Sequence, residues 1–274
     1  MGNRKKNSRG PLIEDQSLDA ARLRHRALAG QLIAGVLIVF LWEFLTRIGW
    51  LDSYYWSSPS TIVRTAWTAI TEGTLLQDLA YTSGSTLAGF ILGTLAGSAL
   101  GLSFWWSGLY TKIAEPYLIA LNAVPKLALG PVLVIMFGIG FGSKVVLAFL
   151  MTVVVAAIAA YSGVKNIDRD LERMLISLGA KRRHVFIKLV IPASMPWMVG
   201  ILKINISLAL AGTIVGEFIS SRQGIGRMIL YAGQVLNMDL VWVGVVSLSV
   251  LSIVMYLGAV WLEHLLMRER KTKS

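Results

Sequence analysis

With 55% of its 274 residues hydrophobic and only 15% charged, the chain is too apolar for an ordinary soluble domain, in which charged side chains approach about a quarter of the total. It is an integral membrane protein by composition, long enough for about six spans of roughly 20 residues with their loops. The absence of cysteine excludes disulfides and thiolate metal sites, and the three histidines, His25, His184 and His264, lie too far apart in sequence to suggest a metal centre.

The formal net charge of +11 has a simple origin in its distribution. Seven Lys or Arg fall in residues 1–26, seven more in 165–188 and four from Arg268 onward, while the intervening loops on the other side carry few. This is the positive-inside pattern, so nucleic acid is not implied and both termini and the 165–192 loop are expected in the cytoplasm. Residues 1–26 form a basic cytoplasmic tail with a short helical pattern, SLDAARLRHRA, leading into a transmembrane region over 27–264. They make a poor signal peptide, because the next apolar run is about 20 residues with no small-residue cleavage site after it.

The first span is expected over 27–48, with Glu43 paired to Arg47 one helical turn on. Trp42, Trp50, Tyr54, Tyr55 and Trp56 then mark an interface. Ser58 and Pro59 open an amphipathic surface helix carrying Ile62, Val63, Ala66, Trp67 and Ile70 on one face and ending near Gly73. A second span is expected over 83–106, where Gly89, Gly93, Gly97 and Gly101 repeat at intervals of four and let a neighbouring helix approach closely.

Pro116, Pro125 and Pro131 punctuate a third span, 113–137, in which Lys126 is a candidate either for contacting an anionic solute or for pairing with Glu217. Gly138, Gly140 and Gly142 ahead of Ser143 and Lys144 lack the spacing of a phosphate loop and read as a tight turn. A fourth span is expected over 145–161. The fifth, 197–220, sets Lys203, Ser207 and Glu217 roughly along one face, a candidate solute pathway. Residues 223–229 read as an external turn and short helix. The last span, 241–262, leads to His264 and a basic cytoplasmic tail, 265–274.

Between spans four and five, residues 166–192 interrupt the apolar pattern. Leu171, Met174, Leu175 and Leu178 put one narrow apolar stripe on a charged helix, with Asn166 as its N-cap and Gly179 at its left-handed C′ position. The stripe needs a partner, either lipid at the interface or a cytoplasmic protein.

Gly179, nine residues, then Leu189, Val190, Ile191 and Pro192 resemble the loop signature of ABC importer permeases. Arg173, Met174 and Leu175 stand where that family usually has Glu-Ala-Ala, with Glu172 one place early. The resemblance covers residues 30–265. Ser58-Pro59-Ser60, VPKLALGPVLVIMFGIGFGSK and GEFISSRQGIGRMI are similar to the branch that handles nitrate, taurine, alkanesulfonates and thiamine precursors.

This resemblance implies an all-α, type I permease fold of about six transmembrane helices with a cytoplasmic coupling helix, in the bacterial inner membrane. It assigns Leu171, Glu172, Met174, Leu175, Leu178, Gly179 and Ala180 to ATPase coupling. It further implies a homodimer with two ATPase subunits, which bind the ATP and magnesium, and an extracytoplasmic binding protein that delivers a small, anionic solute. The chain itself carries no phosphate-loop pattern and no cofactor is expected in it. Two rival classes stay open on the sequence alone. A self-sufficient channel or secondary transporter would work alone; an integral-membrane enzyme would use Glu43, Glu217 or His184, although these are dispersed rather than clustered.

Overall fold

The computed structural model describes the backbone of residues 10–271 and the side chains of residue 27 and residues 29–267. The tip of the N-terminal tail and the last three residues lie outside the described part, as do the side chains of the basic segments 10–26 and 268–274. Every regular element among the described residues is helical. Five helices are long and apolar enough to cross a membrane, six spans in all if one bent pair is counted as a single crossing.

The chain divides after Arg64 into two units. In the first, α1 (Gly10–Arg47) carries the apolar stretch Ala29–Arg47, and α2 (Ser53–Trp56) is a single turn capped by Asp52, whose Oδ1 accepts from the Tyr54 N–H. Glu43 does pair with Arg47, at 2.7 Å. It also accepts from the Ser60 N–H at 3.0 Å and the Ser60 hydroxyl at 2.9 Å, and so holds the first turn of α3 (Pro59–Thr71). A carboxylate at a helix N-terminus satisfies donors that the helix itself cannot.

The second unit is built on α4 (Thr74–Ser103) and α7 (Phe141–Lys165), whose packing results from the fourfold glycine repeat. A Cβ at Gly89 would overlap that of Ala148, one at Gly93 the Thr152 hydroxyl, and one at Gly97 or Gly101 the carbonyl of Val153 or Ala157. Ala148, Thr152, Ala156 and Ala160 answer the four glycines at the same spacing. The close approach expected of the glycines is therefore made to α7 of the same chain. Onto this pair pack α10 (Ile191–Gly200) and α11 (Leu202–Ile219), with Ala148, Val199, Leu202, Ile206 and Ala209 in one buried cluster, while α12 (Ile225–Gln234) and α13 (Met238–Lys271) complete the unit.

Two expected boundaries are corrected. The second span begins at Thr74 rather than at residue 83, because the left-handed Gly73 sets the break and Asp78 and Thr82, polar enough to suggest a loop, are buried within the helix. The third is not one straight span. α5 (Gly108–Ala123) stops before Val124 and Pro125, a 3-10 turn (Lys126–Leu129) comes next, and α6 (Gly130–Phe137) leaves at 77° to α5. Proline at 125 disfavours helical backbone at Val124 and supplies no N–H of its own, which ends the helix there.

The α4–α7 contact generates a direct test. Gly97→Val should lower stability by about 1–3 kcal/mol through overpacking, read as a drop in the unfolding temperature of detergent-solubilised protein. Gly200→Ala, where an added Cβ meets nothing within 4 Å, should leave that temperature unchanged or slightly raised.

Candidate functional site

The polar loop after α7 folds as α8 (Arg169–Ser177), α9 (Arg182–Val185) and a π turn (Phe186–Val190) running into α10. Asp168, not Asn166, caps α8: its Oδ1 accepts from the N–H groups of Asp170 at 2.8 Å and Leu171 at 3.4 Å. Asn166 instead closes the end of α7, donating through Nδ2 to the Ser162 carbonyl at 2.8 Å. The reason is Ile167, which is buried with Leu102, Ala160 and Val190, so the chain must turn inward before a new helix can start. At the other end Gly179 has φ +85°, the Gly179 N–H donates to the Ile176 carbonyl at 2.9 Å and the Ala180 N–H to the Leu175 carbonyl at 3.0 Å. These two bonds and the left-handed residue are the Schellman termination, which suits glycine because it has no Cβ.

The helix so defined displays its stripe. Leu171, Met174 and Leu178 are 39%, 52% and 77% exposed, whereas Leu175, Glu172 and Ala180 are half-buried. The segment beyond the stripe is fastened to the end of α4. Arg182 lies 5.5 Å over the Trp105 ring and donates to the Trp106 carbonyl at 3.3 Å, and Phe186 packs against both indoles at 5.6 and 5.2 Å. Val190, central in the Leu189-Val190-Ile191 run, is fully buried. A short exposed helix is thus held between two buried anchors.

The candidate pathway residues do not converge. Lys126 lies in the 3-10 turn at the bend and donates to the Asn122 carbonyl at 3.0 Å; the anticipated pairing with Glu217 is not formed, because the two side chains are committed to different partners. Lys203 is 3.4 Å from Glu263 of α13, and the exposed Ser207 donates to the Lys203 carbonyl at 3.3 Å. Glu217 turns away from these two onto the buried face of α11 with Thr213 and Gly216. A cavity of about 570 Å³ opens beside the bend, lined by Asn122, Ile158, Ser162, Pro196, Trp197 and Ile201 among others.

Glu217 belongs to a buried polar knot at the end of the spans opposite α8. Its carboxylate accepts from the Thr82 hydroxyl at 2.8 Å and the Gly226 N–H at 2.7 Å; Asp78 accepts from the Gly224 N–H at 2.6 Å, and the Ile225 N–H donates to Thr82 at 3.0 Å. Lys144, fully buried in the first turn of α7, donates to the Ser220 carbonyl and, at 3.3 Å, to the Ser143 hydroxyl. Lys144, read in the sequence as part of a tight turn, stands instead in the first turn of α7, whereas Asp78 and Thr82 escaped sequence reasoning because they lie just before an apolar run. Their signal was the spacing of Asp78, Thr82 and Thr86, four apart on one helical face.

Residues 89–268 match the model of the binding-protein-dependent transport system inner membrane component. The chain is 32% identical over 231 residues to an Escherichia coli protein designated an aliphatic sulfonates transport permease, covering 84% of this chain and 88% of that one. It is 29% identical to an ABC transporter permease protein of Haemophilus influenzae, covering 88% and 98%, and 27% identical to the taurine transport system permease of Escherichia coli, covering 90% and 94%. Among solved structures, an amino acid ABC transporter aligns with a TM-score of 0.56 at 17% identity over 74% of this chain and 96% of the other, and the inward-facing MetNI methionine transporter with 0.53 at 17% identity over 71% and 94%. The likeness to these structures concerns the fold.

The knot is testable by itself. Asp78→Ala removes the acceptor for the buried Gly224 N–H and should cost about 1–3 kcal/mol. Glu217→Ala, which strands both the Thr82 hydroxyl and the Gly226 N–H, should cost more. Thermal unfolding measures the order, and amide hydrogen exchange at residues 224–228 should accelerate in both variants.

Proposed function

This chain belongs to the binding-protein-dependent inner membrane components, the non-catalytic, multi-pass membrane subunits of ABC importers whose ATP is hydrolysed by a separate subunit, and from that premise we propose that it imports a small solute bearing a sulfonate group, of the alkanesulfonate or taurine type. The observation that carries the coupling part of the reading is α8, a capped helix with an exposed apolar stripe and firmly seated flanks. Its stripe fits a groove on an ATPase, with Leu171, Met174 and Leu178 as the inserted side chains and Gly179 setting the direction in which the chain leaves. Two copies of the chain, each carrying one such helix, would form the path between them. Nucleotide-driven approach of two ATPases would move both helices and shift the dimer between inward-open and outward-open states.

The geometry also supports a route for that motion. α8 is joined to α7 through the buried Ile167 and to the end of α4 through Arg182 and Phe186, so a displaced α8 carries the ends of both central spans with it. For the solute, Lys126 is the candidate contact: it makes no ion pair among the described residues, and the carbonyl it bonds belongs to Asn122, which lines the 570 Å³ cavity. Similarity to sulfonate and taurine permeases supports an anionic sulfonate group as its ligand. The positive-inside charge pattern supports a cytoplasmic placement of α8 and both termini, with an extracytoplasmic binding protein on the opposite side.

Forcing a β-branched residue into the left-handed position, as in Gly179→Val, should cost on the order of 1–2 kcal/mol locally, too little to unfold the chain but enough to redirect the end of α8. Reduced co-purification of the ATPase, or hydrolysis without uptake, is the expected result, and Leu178→Ala should act in the same direction. Wild-type docking and uptake in both variants would refute the coupling assignment. Lys126→Met should abolish uptake at limiting solute with assembly and basal hydrolysis intact; unchanged uptake would remove Lys126 from the path.

A further inference from the structure

We propose that a cavity beside the first turn of α8 is a phosphate site occupied by the headgroup of an anionic phospholipid. The cavity, about 350 Å³, lies where α4 and α7 end and α5 and α8 begin, and its wall includes Trp105, Lys112, Glu115, Lys165, Arg169 and Glu172. Its charges are unevenly matched. Lys165 is 3.7 Å from Glu115 and stands over the Tyr161 ring, but Lys112 and Arg169 have no acidic partner among the described residues, and Glu172 pairs with neither. Three cations therefore face two carboxylates.

The Trp105 ring forms part of the cavity wall, with Arg182 over its face. A phosphodiester offers oxygens to the two unpaired cations at once.

The surroundings select a lipid over a dissolved phosphate. Phe104, Tyr110 and Tyr161 stack edge to face, next to Trp105 and Trp106, the kind of aromatic cluster that collects at headgroup level. Leu109 and Ile113, flanking Lys112 on α5, are 71% and 57% exposed and offer apolar surface for an acyl chain beginning at the cavity. Basic pockets at the ends of spans are suited to anionic headgroups. A headgroup in this place would bridge α5, α7 and α8, and the position of α8 would then depend on the lipid around it.

Native mass spectrometry of the full-length chain in detergent, after incubation with phosphatidylglycerol, phosphatidylcholine or soluble glycerol 3-phosphate, tests this. The wild type should retain phosphatidylglycerol in preference to phosphatidylcholine. Lys112→Gln combined with Arg169→Gln should lose the preference. Both cations are exposed at the rim, so the double variant should keep its unfolding temperature. Equal retention of the two lipids by the wild type, or an unaltered preference in the double variant, overturns the site. Binding of glycerol 3-phosphate alone, with the same dependence on Lys112 and Arg169, overturns the lipid as its occupant.

Discussion

Everything in the second unit depends on how closely α4 and α7 approach. Within a bilayer, moving an apolar side chain from lipid to protein gains little, so helices associate through close van der Waals contact and polar groups rather than through hydrophobic burial. Gly89, Gly93, Gly97 and Gly101 bring α4 against the backbone of α7, and Ala148, Thr152, Ala156 and Ala160 keep the facing row small. This places Thr94 and the Thr152 carbonyl where one side chain can reach both: Asn205 of α11 donates to them at 3.1 and 3.4 Å. A third span is thereby added in register, with Thr94 opposite Asn205 and Thr82 opposite Glu217, twelve residues apart on each helix.

The two ends of this core are finished by different chemistry. At one end, buried carboxylates and an ammonium are satisfied mainly by backbone and hydroxyl groups: Glu217 by Gly226 and Thr82, Asp78 by Gly224, Lys144 by Ser220. Charges removed from water need such partners, and here they also fix the loop from Ser220 to Gly226 and the start of α12. Glu217 has its acceptor capacity engaged in that structural task, which leaves Lys126, with a single bond to a carbonyl, better placed to meet a solute. At the other end the chain uses aromatic rings and Arg182, and there the short helix α8 is mounted.

The sequence revealed periodicity well and local endings less well. The glycine repeat, the stripe on α8, the Glu43–Arg47 pair and the left-handed Gly179 were all legible, because each depends on spacing along one helix or on a single residue's backbone freedom. Asn166 and Asp168 are both competent caps, and only the burial of Ile167 between them decides for Asp168. The start of α4 lies well before the apolar run that marks it, since Asp78 and Thr82 look like loop residues until α11 and α12 supply partners 135 or more positions away. The candidate pathway on α11 does not hold together for the same reason: Lys203, Ser207 and Glu217 share a helical sector, but Glu263 and Thr82 draw its ends toward different neighbours.

The distribution of burial also says where the molecule can yield. The spans of α4 and α11 have half of their apolar windows buried, against 17% for α13. Rearrangement that separated α4 from α7 would open a row of backbone contacts with nothing small enough to refill it, so that pair moves as a body if it moves at all. The bend at Val124 and Pro125 is different. Its backbone is already outside the helical ladder, and Lys126 is tied there by one hydrogen bond. Opening and closing the proposed path beside the bend would require torsional change at only a few residues between α5 and α6, while a push on α8 would reach the α4–α7 body through Ile167, Arg182 and Phe186. A rigid pair of spans, a jointed third one and a short helix seated on the end of the pair are the parts a two-state conduit needs, because force applied at one end then changes the angle of the joint instead of the packing of the core.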